Sequence, residues 1–405
     1  MVNLTTNFSY GGNMERRILI ISSNVTGHGH KSITDSLLQR FAFHDNVKVT
    51  VVDGFSLKGK VSMNIGKLYG PMTRNAKDIW KLVWEVSLRN PELLTEITEV
   101  AIKENMLALL ADVKPDLILS VHPNFNSSVL NILKNNNIDI PFVTLIADLV
   151  SITPLWADKR VNYILCPTIE SKEKCLEFGV AEEKLILSGF PIRKKFCEDL
   201  IIPERKPFDN DKVINCLIMS GGEGSGNMSR IAKILLNHFN TRVTIVTGRN
   251  KALKARLEET LYEKYGKRVQ IYGFVDEIQD LMVASDIAFT RGSPNTMLEA
   301  VYCNVPLVIT GALPGQEEMN PWYMEKYGLG IICNETKNIR STVESLVTNN
   351  GKLLNDIREN QKKYRNPNIS KEIVDFLLSI KPGKGYNPPI KKKKLIAKIK
   401  SVQKQ

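Results

Sequence analysis

Several features that would classify this chain at a glance are missing from it. No uninterrupted apolar run approaches the ~20 residues that cross a bilayer. The longest candidate, residues 142–150, is broken by Asp148, so no membrane span is expected. The opening MVNLTTNFSYGGNMERR lacks a basic start followed by an apolar run, and residues 1–15 read as a loose leader rather than a secretory signal. The six cysteines, Cys166, Cys175, Cys197, Cys216, Cys303 and Cys333, include no CxxC pair. That excludes a zinc or disulfide framework and points to reduced core thiols in a cytosolic protein. Glycine loops are present, but none satisfies the GxGxxG fingerprint and none carries a Walker lysine, which disfavours a P-loop NTPase. Histidine is scarce, with five in the whole chain.

Positive charge is also missing from most of the length. Of a net charge of +12, nine units come from Lys381, Lys384, Lys391, Lys392, Lys393, Lys394, Lys398, Lys400 and Lys404, a stretch without an acid. The remaining body is close to neutral and offers no broad basic face for nucleic acid. The tail IKKKKLIAKIK places Leu395, Ile396 and Ile399 on one face if helical, a composition that suits an anionic membrane surface or a solvated end.

What is present is ample core material. Hydrophobic residues make up 43% and charged residues 24% of 405, a globular balance with room for two domains. Residues 16–22 (RRILIIS) read as an apolar strand, followed by the turn NVTGHGH, a helical pattern over 31–41 and a strand over 47–52. This βαβ start predicts a parallel sheet. Further strands are expected at 116–121, 142–146 and 163–166, with helices over 91–110 and 127–134. Prolines and charges interrupt the pattern at 201–212, a linker. The plan then restarts with a strand at 213–220, a glycine-rich loop at 221–226, a helix at 228–239 and a strand at 242–247. The expectation is α/β: two Rossmann-like, doubly wound domains, 16–200 and 213–365, facing a cleft at the carboxyl ends of their strands. A last helix at 366–380 and the basic tail at 381–405 follow.

Three stretches carry candidate chemistry. Thr26-Gly27-His28-Gly29-His30-Lys31 places two histidines in a turn opening a helix, where glycine lets a ligand approach and histidine accepts a proton near neutral pH. It also reads as a tight turn with incidental histidines. The second loop, containing Gly222 and Glu223, sits between strand and helix, where backbone N–H groups hold anions. In RGSPNTMLEA, residues 291–300, Asn295 and Thr296 fall at a helix N-terminus suited to a diphosphate, and Glu299 lies one turn on, where a carboxylate can accept ribose hydroxyls. Taken alone, either residue reads more readily as part of a capped helix with a surface glutamate. Residues 61–88 mix lysines with Tyr69, Trp80 and Trp84, as an interfacial helix or acceptor channel would, although core packing is the commoner cause.

Taken in order, TGHGHK, KPDLILSVHP, LIAD, SGFPIR, LIMSGGEGSG, TGRN, YGFV, RGSPNTMLEA and PGQEEMN resemble the glycosyltransferase family of monogalactosyldiacylglycerol synthases and bacterial processive diacylglycerol glucosyltransferases. The enzyme that adds N-acetylglucosamine in lipid II synthesis is a more distant likeness. The resemblance spans residues 16–380 and implies a GT-B fold, with the lipid acceptor held by the first domain and a UDP-sugar by the second. It assigns His30 to the catalytic base or its proton relay, with His28 beside it where glycine is common in the family. Asp148, the second catalytic candidate, expected to help His30 remove the acceptor proton, matches the acid after the 142–146 strand, preceded by Ala147 rather than the usual threonine. Gly222, Glu223 and Arg249 fall in donor loops, and Phe274 and Val275 sit where backbone groups contact uracil. Ser293, Pro294, Asn295 and Thr296 match the diphosphate loop, Glu299 the ribose acid, and Gln316 with Glu317 the pair that reads sugar hydroxyls. The family's Ala-Gly-Pro-Gly-Thr is here Gly292-Ser293-Pro294-Asn295-Thr296, and asparagine tolerates the backbone angles such a nest requires.

The resemblance implies an inverting, metal-independent hexosyltransferase acting from UDP-glucose or UDP-galactose onto diacylglycerol, with no cofactor and no nucleic-acid partner. It would work peripherally at the cytoplasmic membrane face. A two-domain UDP-sugar epimerase and a non-catalytic UDP-sugar-binding protein are the alternatives.

Overall fold

The computed structural model describes residues 15–23, 29–58, 85, 88–203, 208, 212–219 and 227–386. The first run of elements is β1 (Arg16–Ser22), α1 (Gly29–Phe41), β2 (Val47–Asp53), α2 (Pro91–Val113), β3 (Leu117–Ser120), α3 (Asn126–Asn135), β4 (Phe142–Leu145), β5 (Tyr163–Cys166), α4 (Ile169–Glu177) and β6 (Leu185–Leu187). The second run begins with β7 (Ile214–Met219), α5 (Met228–His238), β8 (Thr241–Val246), α6 (Lys251–Tyr265), β9 (Val269–Tyr272) and α7 (Ile278–Val283). It continues with β10 (Ile287–Thr290), α8 (Pro294–Tyr302), β11 (Leu307–Ile309), α9 (Asn320–Lys326), β12 (Gly330–Ile332), α10 (Ile339–Tyr364) and α11 (Ile369–Ser379). No helix among the described residues is long and apolar enough to cross a membrane.

Two compact units result: residues up to Pro191 together with those from Asn368 onward, and Ile192–Pro367. The first holds a parallel sheet of order β2-β1-β3-β4-β5-β6. Its inner strands are continuous apolar runs because helices cover both faces; Ile18, Leu19, Ile20 and Ile21 of β1 are all buried. β2, at the edge, alternates valine with lysine and threonine and stays half-exposed. The chain's last described segment belongs here. α11 packs on α1, and Phe376 meets Tyr163 edge-on with ring centres 5.1 Å apart. Gly189, at φ +75°, makes room for this helix, since a Cβ there would lie 2.4 Å from Ile369.

The second unit holds a parallel sheet of order β12-β11-β10-β7-β8-β9. Ile218, Ile245, Phe289 and Val308 on its strands pack with Leu235, Leu257 and Leu354 on the covering helices. In each sheet the chain winds outward and then reverses. The return places β3 on the other side of β1, and β10 on the other side of β7. Loops leaving two such strands diverge and open a crevice at their carboxyl ends. The residues after β1, β3 and β10 therefore sit where a doubly wound sheet binds ligands.

Candidate functional site

In the first unit, His30 is the second residue of α1 and is 8% exposed. The first turn of α1 is tied to the end of β1, because Thr34 Oγ1 donates to the His30 carbonyl at 2.8 Å and shares a hydrogen bond with Ser22 Oγ at 2.8 Å. His30 Nδ1 lies 2.6 Å from the Val121 carbonyl oxygen. A carbonyl only accepts, so the neutral ring carries its proton on Nδ1 and its lone pair on Nε2. Burial pushes the imidazole pKa down to about 4, outweighing the opposite pull of that carbonyl. At neutral pH the ring is uncharged.

His122, just beyond β3, packs against it with ring centres 4.5 Å apart and planes inclined by 43°. The His122 Nδ1 accepts the Asn124 N–H at 3.3 Å, which places the proton of a neutral ring on Nε2. The two imidazoles thus adopt opposite tautomers. Phe55 and Phe125 flank His122 at 5.4 and 5.2 Å. Trp156, with its ring 6.4 Å from His30, donates its indole N–H to buried Asp148 at 2.8 Å. His30 and Asp148, both expected from sequence, are therefore linked around Trp156. Neither His122 nor Trp156 carries a role assigned from sequence, although His122 is the histidine of KPDLILSVHP and one of only five in the chain.

In the second unit, β10 leads into the loop expected from sequence to meet a diphosphate. Ser293 is the N-cap of α8 without a side-chain cap bond, Pro294 opens the helix, and no acid lies in the first turn. The first helical bond is from Met297 N–H to the Ser293 carbonyl at 3.1 Å, so the N–H groups of Asn295 and Thr296 have no partner within the helix. A helix start of this geometry, with its dipole, favours an anion. Gly292 is held close behind: its carbonyl accepts Asn320 Nδ2 at 2.8 Å, and a Cβ there would lie 3.1 Å from Ala312 and 3.3 Å from Pro321.

Glu299, on α8, is buried, and its Oε1 accepts from Arg193 Nη2 at 2.6 Å and Nε at 3.2 Å. That arginine was not foreseen as a site residue. Arg249, after β8, lies 4.5 Å over the ring of Phe274, after β9, whose side chain is largely exposed; half-buried Val275 follows. Beyond β11, Glu317 accepts the Leu313 N–H at 2.9 Å and faces Arg291 at 3.4 Å, while the Gln316 N–H donates to the Pro314 carbonyl at 3.1 Å. His28, Tyr69, Trp80, Trp84, Gly222, Glu223, Lys391, Lys392, Lys393 and Lys394 lie outside the described residues.

Comparison with known proteins matches each unit to a separate profile. Residues 30–192 match the family described as monogalactosyldiacylglycerol (MGDG) synthase, and residues 215–375 match the glycosyltransferase family 28 C-terminal domain. Through these two matches the chain resembles the MGDG synthase family of glycosyltransferases. The MGDG synthase of Spinacia oleracea is 27% identical over 383 residues, covering 89% of this chain and 72% of that one. A processive diacylglycerol beta-glucosyltransferase of Bacillus cereus is 25% identical over 383 residues, covering 93% and 96%. Among solved structures, Acinetobacter baumannii MurG aligns with a TM-score of 0.63 at 12% identity over 90% of this chain and 100% of its own. A UDP-GlcNAc 2-epimerase of Neisseria meningitidis aligns at 0.58 and 18% identity over the same shares. These structures speak to fold alone. The chain has the GT-B fold expected from its sequence.

Proposed function

We propose that this protein transfers a hexose from a UDP-sugar to the hydroxyl of a diacylglycerol-type lipid, with inversion and without a catalytic metal. The observation that carries this reading is His30, a buried imidazole whose Nδ1 proton is held by the Val121 carbonyl. Its Nε2 takes the proton of the lipid hydroxyl. The hydroxyl oxygen bonds to the anomeric carbon from the face opposite the leaving group, and the bond from that carbon to the diphosphate oxygen breaks. UDP departs with the electron pair, and a single displacement inverts the configuration.

Negative charge then grows on the diphosphate. The first-turn N–H groups of α8 at Asn295 and Thr296 meet it, in the role a metal plays elsewhere. Glu299 accepts the ribose hydroxyls, backbone groups at Phe274 and Val275 hold uracil, and Gln316 and Glu317 read the sugar. The names of the relatives, MGDG synthase and diacylglycerol glucosyltransferase, support a lipid acceptor. Lys391, Lys392, Lys393 and Lys394 would hold the enzyme peripherally on an anionic cytoplasmic membrane face.

The second reading is a UDP-sugar epimerase, favoured by the likeness of fold to the Neisseria enzyme. The deciding experiment supplies UDP-glucose or UDP-galactose with diacylglycerol vesicles, with and without EDTA, and identifies glycolipid by mass and the recovered UDP-sugar by chromatography against both epimers. Hexosyl-diacylglycerol and UDP should form at the same rate in both. Conversion of the UDP-sugar without lipid would establish the epimerase, and loss of transfer in EDTA would overturn the metal-free mechanism.

A further inference from the structure

The segment SGFPIRKKF, residues 188–196, has no part in the chemistry above, yet two of its cations reach both sides of the proposed nucleoside site within the second unit. Arg193 directs Nη2 and Nε at one oxygen of Glu299, Oε1, from 2.6 and 3.2 Å. The two side chains are 27% and 9% exposed, so the pair is held largely out of bulk water. The guanidinium rests on the ring of Phe196 at 4.9 Å, which limits its freedom on the other face. Two residues on, Lys195 donates to the Asp276 carbonyl and lies 3.6 Å from the Glu277 carboxylate, directly after Phe274 and Val275.

A glutamate carboxylate rotates freely about its last bond unless something fixes it. Two charge-assisted N–H bonds to a single oxygen fix that rotation and turn the Oε2 edge in one direction. A vicinal diol needs such a fixed edge, because its two hydroxyls donate along defined directions. We propose that Arg193 is a positioning residue that orients the Glu299 carboxylate toward the ribose 2′- and 3′-hydroxyls and so gives the site its preference for ribonucleotides. This inference rests on the ribose reading of Glu299. Arg193 acts through that carboxylate, and its removal affects diol recognition rather than nucleotide binding in general.

The test is calorimetric titration of the full chain with UDP and with its 2′,3′-dideoxy analogue, using wild type, Arg193→Gln, Arg193→Lys, Glu299→Gln and the double variant Arg193→Gln/Glu299→Gln. Wild type should prefer UDP by about tenfold or more, the scale of a lost charged hydrogen bond. Arg193→Gln should reduce that preference to about twofold, Glu299→Gln should do the same, and the double variant should lose no more than either. Arg193→Lys keeps the charge but not the two-pronged geometry and should fall between, which also serves if the glutamine variant folds poorly. An Arg193→Gln variant that binds both nucleotides equally more weakly, or keeps the full preference, overturns the inference. A Glu299→Gln variant that keeps the full preference removes the ribose reading itself, and the inference with it.

Discussion

The crevice between β1 and β3 in the first unit and the one beside β10 in the second occupy the same topological position, yet they hold opposite kinds of group. The first is lined by His30, His122 and Trp156, with the His122 and Trp156 rings tilted against His30 at 4.5 and 6.4 Å and the indole bonded to Asp148. The second presents open helix N–H groups at Asn295 and Thr296, the Arg193–Glu299 pair and the Arg291–Glu317 pair. The difference follows from the tasks proposed. A base must be uncharged before it acts, and burial disfavours the charged imidazole. A nucleotide diphosphate arrives charged and must be met by fixed dipoles and charge.

The largest effect should come from removing the base. His30→Ala should lower kcat by about 10² to 10⁴-fold in the transfer assay, the usual worth of general base catalysis. A variant retaining ordinary turnover would break the contrast at its first term.

The next effect is on stability and follows from the same burial. The His30 imidazole titrates at about 4 when folded against 6.5 unfolded. Above pH 6.5 both states are neutral, and no proton is exchanged on unfolding. As pH falls from 6.5 toward 4 the unfolded chain takes a proton that the folded chain refuses, so stability is lost across that window, by up to about 3 kcal/mol. Urea unfolding at pH 7 and 4.5 should show this loss in wild type and a smaller one in His30→Gln. Equal slopes would mean that His30 is not held neutral by burial.

Trp156→Phe keeps the ring beside His30 but removes the 2.8 Å bond to Asp148. Chemical denaturation should show a loss of about 1–3 kcal/mol, with the UDP affinity of the second unit unchanged. Smallest is the effect of the basic tail. Lys392→Gln should weaken co-sedimentation with anionic vesicles by about 1 kcal/mol at low salt and by nothing measurable at high salt.

Much of this architecture was legible because buried parallel strands are continuous apolar runs. The stretch at 163–166 is strand β5 as expected, and the strand at 142–146 is one residue longer than β4. β6, β11 and β12 have three residues each, too few for any period to show. The docking of α11 on α1 depends on contacts between the chain's two ends, which no local pattern reports. The site divides in the same way. His30 and the α8 start announce themselves through glycine loops and a helix terminus. Arg193 does not, because its meaning lies in a carboxylate 106 residues away. His122 is likewise silent until β1 and β3 lie side by side.

The division of labour between the units is tested most directly by measuring UDP affinity for His30→Ala and Glu299→Ala side by side with wild type. His30→Ala should bind UDP as wild type does while failing to transfer sugar, and Glu299→Ala should bind UDP about tenfold more weakly or worse. Weakened UDP binding in His30→Ala together with unchanged binding in Glu299→Ala would contradict the account.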